Sequence, residues 1–325
     1  MAGRHLKELF RAFRMNDELA FRRAATEIIE EEEGKHHFAL ARDLQRLMAG
    51  GSSAGLDVGS YAVLPEPPKD REGDWALAEV RTPERTLDEL VVSPRVTATL
   101  RDIGTEVPLW AELDQHAVPR RQRFLFQGPP GCGKTSAAEA LAHELRRPFV
   151  VVRLDAVVSS YLGETASNLR RVLDYANQAP FVLLFDEFDA LGRTRDDAAE
   201  HGEMKRVVTA FLQMIDKYRG PSILIAATNH PALLDAALWR RFDEVIDFGK
   251  PSVHELRRLI RLRLRPVPHK GVDVERYASA LKGLPHAAAE KLVWDARRFA
   301  LMSQRKEVTS DDMDGALSRV TARPW

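Results

Sequence analysis

From about Leu87 to Gly249, short β-branched and apolar runs alternate with stretches whose apolar residues recur every three to four positions. The short runs are Phe124–Gln127, Phe149–Leu154, Phe181–Phe185, Ile223–Ala227 and Val245–Phe248. This alternation predicts an α/β fold, a parallel sheet with helices on both faces. Just upstream, Trp75–Val80 is expected to add a short strand that docks on the sheet. After Pro251 only helical periodicity remains, with helices expected near Val253–Arg265, Asp273–Ala280, Ala287–Gln304 and Ser310–Val320. At the other end, Leu6, Leu9, Phe10 and Phe13 share one helical face, as do Phe38, Ala41, Leu44 and Met48, so a small helical bundle is expected over 1–49. The Gly/Ser-rich segment Ala49–Ser60 and the prolines that follow read as a linker. The expected organisation is a helical domain over 1–49, a linker over 50–86, an α/β core over 87–250 and a C-terminal helical domain over 251–325.

Composition narrows the classes. The 325 residues carry 48 Lys+Arg against 48 Asp+Glu, and 44% of them are hydrophobic. That is ordinary globular composition, and a zero net charge gives no electrostatic reason for nucleic acid or an anionic membrane as the main partner. No apolar run approaches the roughly 20 residues that span a bilayer. The N-terminus is basic and amphipathic, unlike a secretory signal, so a cytoplasmic protein is expected. The single cysteine cannot form an internal disulfide or a multi-thiolate metal site.

Strand Phe124–Gln127 runs directly into GPPGCGKT, Gly128 to Thr135, and then into a helical stretch. The spacing G-x-x-x-x-G-K-[ST] in a strand–loop–helix setting is that of a phosphate-binding loop. Gly128, Pro129, Pro130, Gly131, Cys132, Gly133, Lys134, Thr135 and Ser136 are the candidate nucleotide ligands. Glycines let successive backbone N–H groups face an anion at a helix N-terminus. Lys134 brings positive charge to the β- and γ-phosphates, and the Thr135 hydroxyl is suited to Mg²⁺. Some fifty residues on, FVLLFDEFDA presents Asp186 and Glu187 at the carboxyl end of a buried strand, where ligands bind in open parallel sheets. Asp186 suits Mg²⁺, and Glu187 suits orienting and polarising an attacking water. The next strand, ILIAATN, ends in Asn229, placed to hold the same water. LLDAALWRRFD then carries Arg240 and Arg241 on a loop before the last strand.

In this order and spacing, GPPGCGKT, FVLLFDEFDA, AATN and DAALWRRFD resemble the Walker A, Walker B, sensor-1 and arginine-finger elements of AAA+ ATPases. The resemblance covers roughly Leu87 to Val320 and implies ATP and Mg²⁺ as cofactors, with the helices after Pro251 acting as a lid. It further implies a homo-oligomeric ring, commonly a hexamer, with ATP at subunit boundaries and one of the arginines acting in trans. Here the two arginines are contiguous, where many relatives insert Pro-Gly. In GLPHAAAEKLV, His286 stands where the resembled pattern has a Gly close to the adenine, and no lid arginine is present at this helix start. SSYLGETASNLRRVL resembles the family's pore loop, with Tyr161, Leu162 and Gly163 in the aromatic–aliphatic–glycine places, which implies a polypeptide substrate. The charged stretch Arg193–Glu203 fits a second channel-facing loop or plain surface.

The function expected is an ATP-driven ring that remodels, unfolds or threads proteins. A nucleic-acid-associated or clamp-loader-like ATPase would call for a basic accessory domain, whereas residues 1–49 hold nine Lys/Arg and nine Asp/Glu. A nucleotide-regulated scaffold would not need Glu187, Asn229 and the arginines. Residues 1–49 are weakly similar to helical domains of bacterial AAA+ proteins that work beside a protease, so a protease partner is a further expectation.

Overall fold

The computed structural model describes residues 64–71, 75–158, 162–191, 209–233 and 239–325, together with Ala24 and Thr26. The chain divides into two compact units, Met1–Ala62 and Val63–Trp325, and the candidate site lies wholly in the second. The bundle expected over 1–49 and the linker Ala49–Ser60 lie outside the described residues, save that Ala24 and Thr26 are helical.

Six strands form one sheet: β1 (Ala78–Arg81), β2 (Arg123–Gln127), β3 (Phe149–Val152), β4 (Val182–Phe185), β5 (Ile223–Thr228) and β6 (Glu244–Asp247). Their order is β1-β3-β4-β5-β2-β6. Strands β2 to β6 are parallel, and β1 closes one edge antiparallel to β3, with Ala78 opposite Val152. The short upstream strand is therefore present and makes the sheet mixed, a common finish for an otherwise parallel sheet. Strand β3 ends two residues before the expected Leu154. Leu154 instead opens a helical turn, α4 (Leu154–Val157), because the Arg153 carbonyl accepts the Val157 N–H and turns the chain out of the sheet. The turn buries Leu154 in the core below the sheet.

The strands sort their side chains with period two, as pleating requires. On one face Phe124, Phe126, Val182, Leu184, Ile223 and Ile225 pack against two helices, α1 (Pro94–Glu106) and α3 (Lys134–Glu144). A short α2 (Trp110–Gln115) adds Trp110 to that core. On the other face Leu125, Val150, Leu183, Phe185 and Leu224 meet Leu169 and Val172 of α5 (Leu162–Ala176), with Phe211 and Ile215 of the helical run 209–217. Each large apolar side chain so buried contributes ~1.5–3 kcal/mol, and the two central strands, β4 and β5, are buried at every position, with Thr228 their one polar residue.

Beyond β6 come α6 (Val253–Leu264), α7 (Val274–Ala280), α8 (His286–Met302) and α9 (Ser310–Thr321), within a residue or two of expectation. They share a third core built on Leu256, Leu259, Ile260, Tyr277, Leu292 and Met313, into which Val91 also reaches. Ser252 with Glu255 and Thr309 with Asp312 close capping boxes on α6 and α9, and the Asp273 carboxylate caps α7. Each pair satisfies backbone donors that a helix start leaves open. Among the described residues no helix is long and apolar enough to cross a membrane.

Candidate functional site

The loop between β2 and α3 is shaped by its glycines. Gly128 has φ +140°, and a Cβ there would lie 2.1 Å from the Phe248 carbonyl oxygen. Gly133, in the left-handed region at φ +94°, is the N-cap of α3. Its backbone leads straight into Lys134, whose ammonium donates to the carbonyls of Gly128 at 2.7 Å and Pro129 at 3.0 Å, and to Asn229 Oδ1 at 2.7 Å. Lys134 is buried. Burial draws its pKa down, opposed by the Cys132 sulfur and the carboxylates of Asp186 and Asp189.

Sheet order explains how Asn229 comes to join the loop and the acids. Strand β5 lies between β2, which feeds the loop, and β4, which carries Asp186 and Glu187 at its end. Asn229 follows the last residue of β5 and so stands between them. Across the same cleft the Thr135 hydroxyl donates to Asp186 Oδ2 at 2.7 Å, while Asp186 Oδ1 accepts the Glu187 N–H at 2.9 Å. Glu187 adopts φ +51°, a left-handed conformation that costs a non-glycine residue on the order of 1 kcal/mol and turns the exposed carboxylate off the strand line.

Glycines, Lys134, Thr135, Ser136, Asp186, Glu187 and Asn229 line one cleft of about 350 Å³. Its other wall comes from residues that sequence reasoning did not select: Arg85, Leu90 and Val91 before α1, Leu259 and Arg263 on α6, and Glu290 on α8. Arg263 pairs with Glu290 at 2.5 Å, and Arg85 lies 3.7 Å from Glu139 and 3.8 Å from Glu290. Asp189, also unselected, is buried and accepts both the Asn229 N–H and the Thr228 hydroxyl at 3.2 Å, fixing the β5 tip. Its position three residues after Asp186 was the one available signal. His286 and Ala287 complete the wall, and the Ala287 N–H donates to the Gly131 carbonyl at 3.0 Å, joining α8 to the loop. Cys132 is buried beneath it. Burial raises the pKa of its thiol, opposed by Lys134, the His286 backbone N–H and Lys250.

Arg240 and Arg241 are not brought into this cleft. Both are exposed, and Arg241 pairs with Asp216 at the end of the 209–217 helical run. Leu162 and Gly163, expected on a loop, are the first two residues of α5. Tyr161 and the stretch Arg193–Glu203 lie outside the described residues.

A strand–glycine loop–helix at the centre of a parallel sheet, facing an acid pair two strands away, defines a P-loop nucleoside triphosphatase. Residues 124–250 match the family model described as ATPase family associated with various cellular activities (AAA). The chain is similar to an AAA family ATPase, y4kL, of Sinorhizobium fredii, at 39% identity over 97% of this chain and 94% of that protein. It is 32% identical to a proteasome-activating nucleotidase of Pyrococcus horikoshii and 34% identical to one of Thermococcus onnurineus, each over 83% of this chain and 70% of the relative. The chain belongs to the AAA family and is an ATPase.

Proposed function

We propose that this ATPase is a cytoplasmic ring, commonly six copies, that binds Mg·ATP in the cleft and uses its hydrolysis to unfold, thread or remodel protein substrates. The observation that carries the reading is the convergence of Lys134, Thr135, Asp186, Glu187 and Asn229 in one cleft while both arginines stay on the exposed surface. A site with its anion-binding loop and acids complete but with Arg240 and Arg241 outside it, and its own Arg85 and Arg263 engaged with Glu139 and Glu290, suits completion by a neighbouring copy, and head-to-tail contacts of that kind close into rings. The similarity to nucleotidases named for activating a proteasome supports a polypeptide as substrate and a protease as partner.

The backbone N–H groups of Gly131 to Thr135 surround the polyphosphate at the N-terminus of α3, with Pro129, Pro130 and Ser136 shaping the loop's flanks. Lys134 exchanges part of its present carbonyl and amide set for phosphate oxygens. Mg²⁺ fits the donors available: it binds through one or two protein oxygens plus phosphate and water, and Thr135 and Asp186 offer two oxygens side by side. Mg²⁺ held there would neutralise part of the polyphosphate's charge. Glu187 accepts a proton from the attacking water, and Asn229, held by Asp189, orients that water. Arg240 or Arg241 of the next copy stabilises charge on the transferring phosphoryl group. Tyr161, Leu162 and Gly163 grip the extended polypeptide, and residues 1–49 recruit a partner.

The test is an unfolding assay on a stable fluorescent reporter protein with Mg·ATP. The wild type is expected to extinguish the native signal, and Tyr161→Ala to lose far more of this activity than of ATP turnover. A wild type that hydrolyses ATP yet leaves every folded or tagged protein reporter intact contradicts the reading.

A further inference from the structure

One buried polar side chain of the cleft lining has no hydrogen-bond partner among the described residues. His286, the first residue of α8, is only 7% exposed, and neither ring nitrogen is hydrogen-bonded. Buried polar atoms in native proteins are almost always paired, and leaving one unpaired costs about 1–3 kcal/mol. A buried imidazole with both nitrogens unpaired, on a residue that lines the cleft, is suited to a ligand that supplies the missing partners. The neighbouring charged groups are already committed: Arg263 to Glu290, and Arg85 to Glu139 and Glu290.

We propose that the His286 imidazole hydrogen-bonds the edge of the adenine base of bound ATP, making it a base-recognition residue of this site. The inference rests on the cleft being the ATP site. The phosphate end is set by the loop, Lys134 and Asp186. The flat, weakly polar base then belongs against the remaining wall, where Leu90, Val91, Leu259 and Ala287 supply apolar surface. His286 is held in that wall by short links to the loop: its own backbone N–H faces the Cys132 sulfur, and the adjacent Ala287 N–H meets Gly131.

The chemistry matches. A neutral imidazole offers one donor and one acceptor, and the edges of adenine present an amine donor beside ring-nitrogen acceptors, so either tautomer finds a partner. Burial keeps the ring's pKa below its ordinary value, opposed by Glu255 and Glu290, which favours the neutral form. The glycine of the resembled pattern has no side chain for such a contact.

Calorimetric titration of the full-length protein with Mg·ATP, and in parallel with inorganic tripolyphosphate and Mg²⁺ as a probe without a base, tests this. His286→Ala is expected to weaken ATP binding about tenfold, equivalent to ~1.4 kcal/mol, while tripolyphosphate binding stays unchanged. His286→Gln, which keeps a hydrogen-bonding group, should recover part of the loss. The ¹⁵N signals of the His286 ring should shift on adding ATP and not on adding tripolyphosphate. Unchanged ATP affinity in His286→Ala overturns the base contact alone, as does an equal loss for both probes, which would mark a loop-supporting role. A wild type that binds neither probe overturns the cleft reading and the base contact together.

Discussion

Lys134 uses all three of its N–H donors on main-chain and side-chain oxygens of the loop and of Asn229, so its charge is positioned before a phosphate arrives. Removing it takes away both the charge and the tie between β2 and β5. Lys134→Ala is expected to lower Mg·ATP affinity by about a hundredfold or more, since charge-assisted hydrogen bonds are individually worth about 1.5–3 kcal/mol. Equilibrium binding of a fluorescent ATP analogue measures it. Glu187→Gln preserves shape and should keep ATP bound while turnover falls by about 10²–10⁴. Steady-state phosphate release at the wild-type rate would remove Glu187 from its role. Gly128→Ala has a different failure: the new Cβ would overlap the Phe248 carbonyl, so the sheet edge must open. A loss of about 3 kcal/mol or more in denaturant unfolding is expected, with nucleotide binding lost alongside.

Among the elements, helix starts do much of the positioning. Helix α3 begins at a glycine N-cap so that its first residue is Lys134, and α8 begins where Ala287 meets Gly131. Helix α9 shows a pH-sensitive cap. Asp312 accepts from Arg305, the Thr309 backbone N–H and the Thr309 hydroxyl, which hold its pKa down to about 2. A carboxylate whose folded pKa is depressed adds stability above its ordinary pKa, ~3.9, and loses it as pH falls through the folded value. Asp312→Asn should therefore lower the unfolding midpoint at pH 7, and the gap from wild type should narrow as pH falls from 5 toward 2. A gap constant over that range would exclude this linkage.

Strands β2 to β5 were legible because each is built on a run of apolar residues, and the four C-terminal helices because their apolar residues recur every three to four positions. Two features escaped for physical reasons. The turn at Arg153 is also held by a tertiary bond from its N–H to the Leu77 carbonyl, and the six-residue run Phe149–Leu154 carries no record of it. The second wall of the cleft takes Arg85, Arg263 and Glu290 from three distant segments, and only folding brings them together. The phosphate loop, by contrast, is local chemistry, with every ligand within nine residues of sequence.

At the scale of the whole molecule, the exposed arginine pair is the feature that one copy leaves unused. Arg241 is tied to Asp216, and Arg240 is exposed. If these residues serve the next copy, activity must depend on protein concentration, because diluted rings dissociate and each lone subunit keeps only part of a site. Specific ATPase rate should fall as the protein is diluted below its assembly constant, in step with the loss of the oligomer in sedimentation velocity. A lone subunit of undiminished rate would sever assembly from catalysis.

Complementation between two inactive proteins bears on the shared site most directly. Arg240→Ala/Arg241→Ala subunits keep Glu187 but offer no arginine, and Glu187→Gln subunits offer arginines but no base. Each alone should be nearly silent in phosphate release. Mixed one to one and allowed to reassemble, they should recover about a quarter of the wild-type rate, the random share of head-to-tail interfaces that pair an intact Glu187 with intact arginines. A mixture as silent as its two components, under conditions where mass analysis shows mixed rings, would place the arginines in the service of their own subunit and contradict the account.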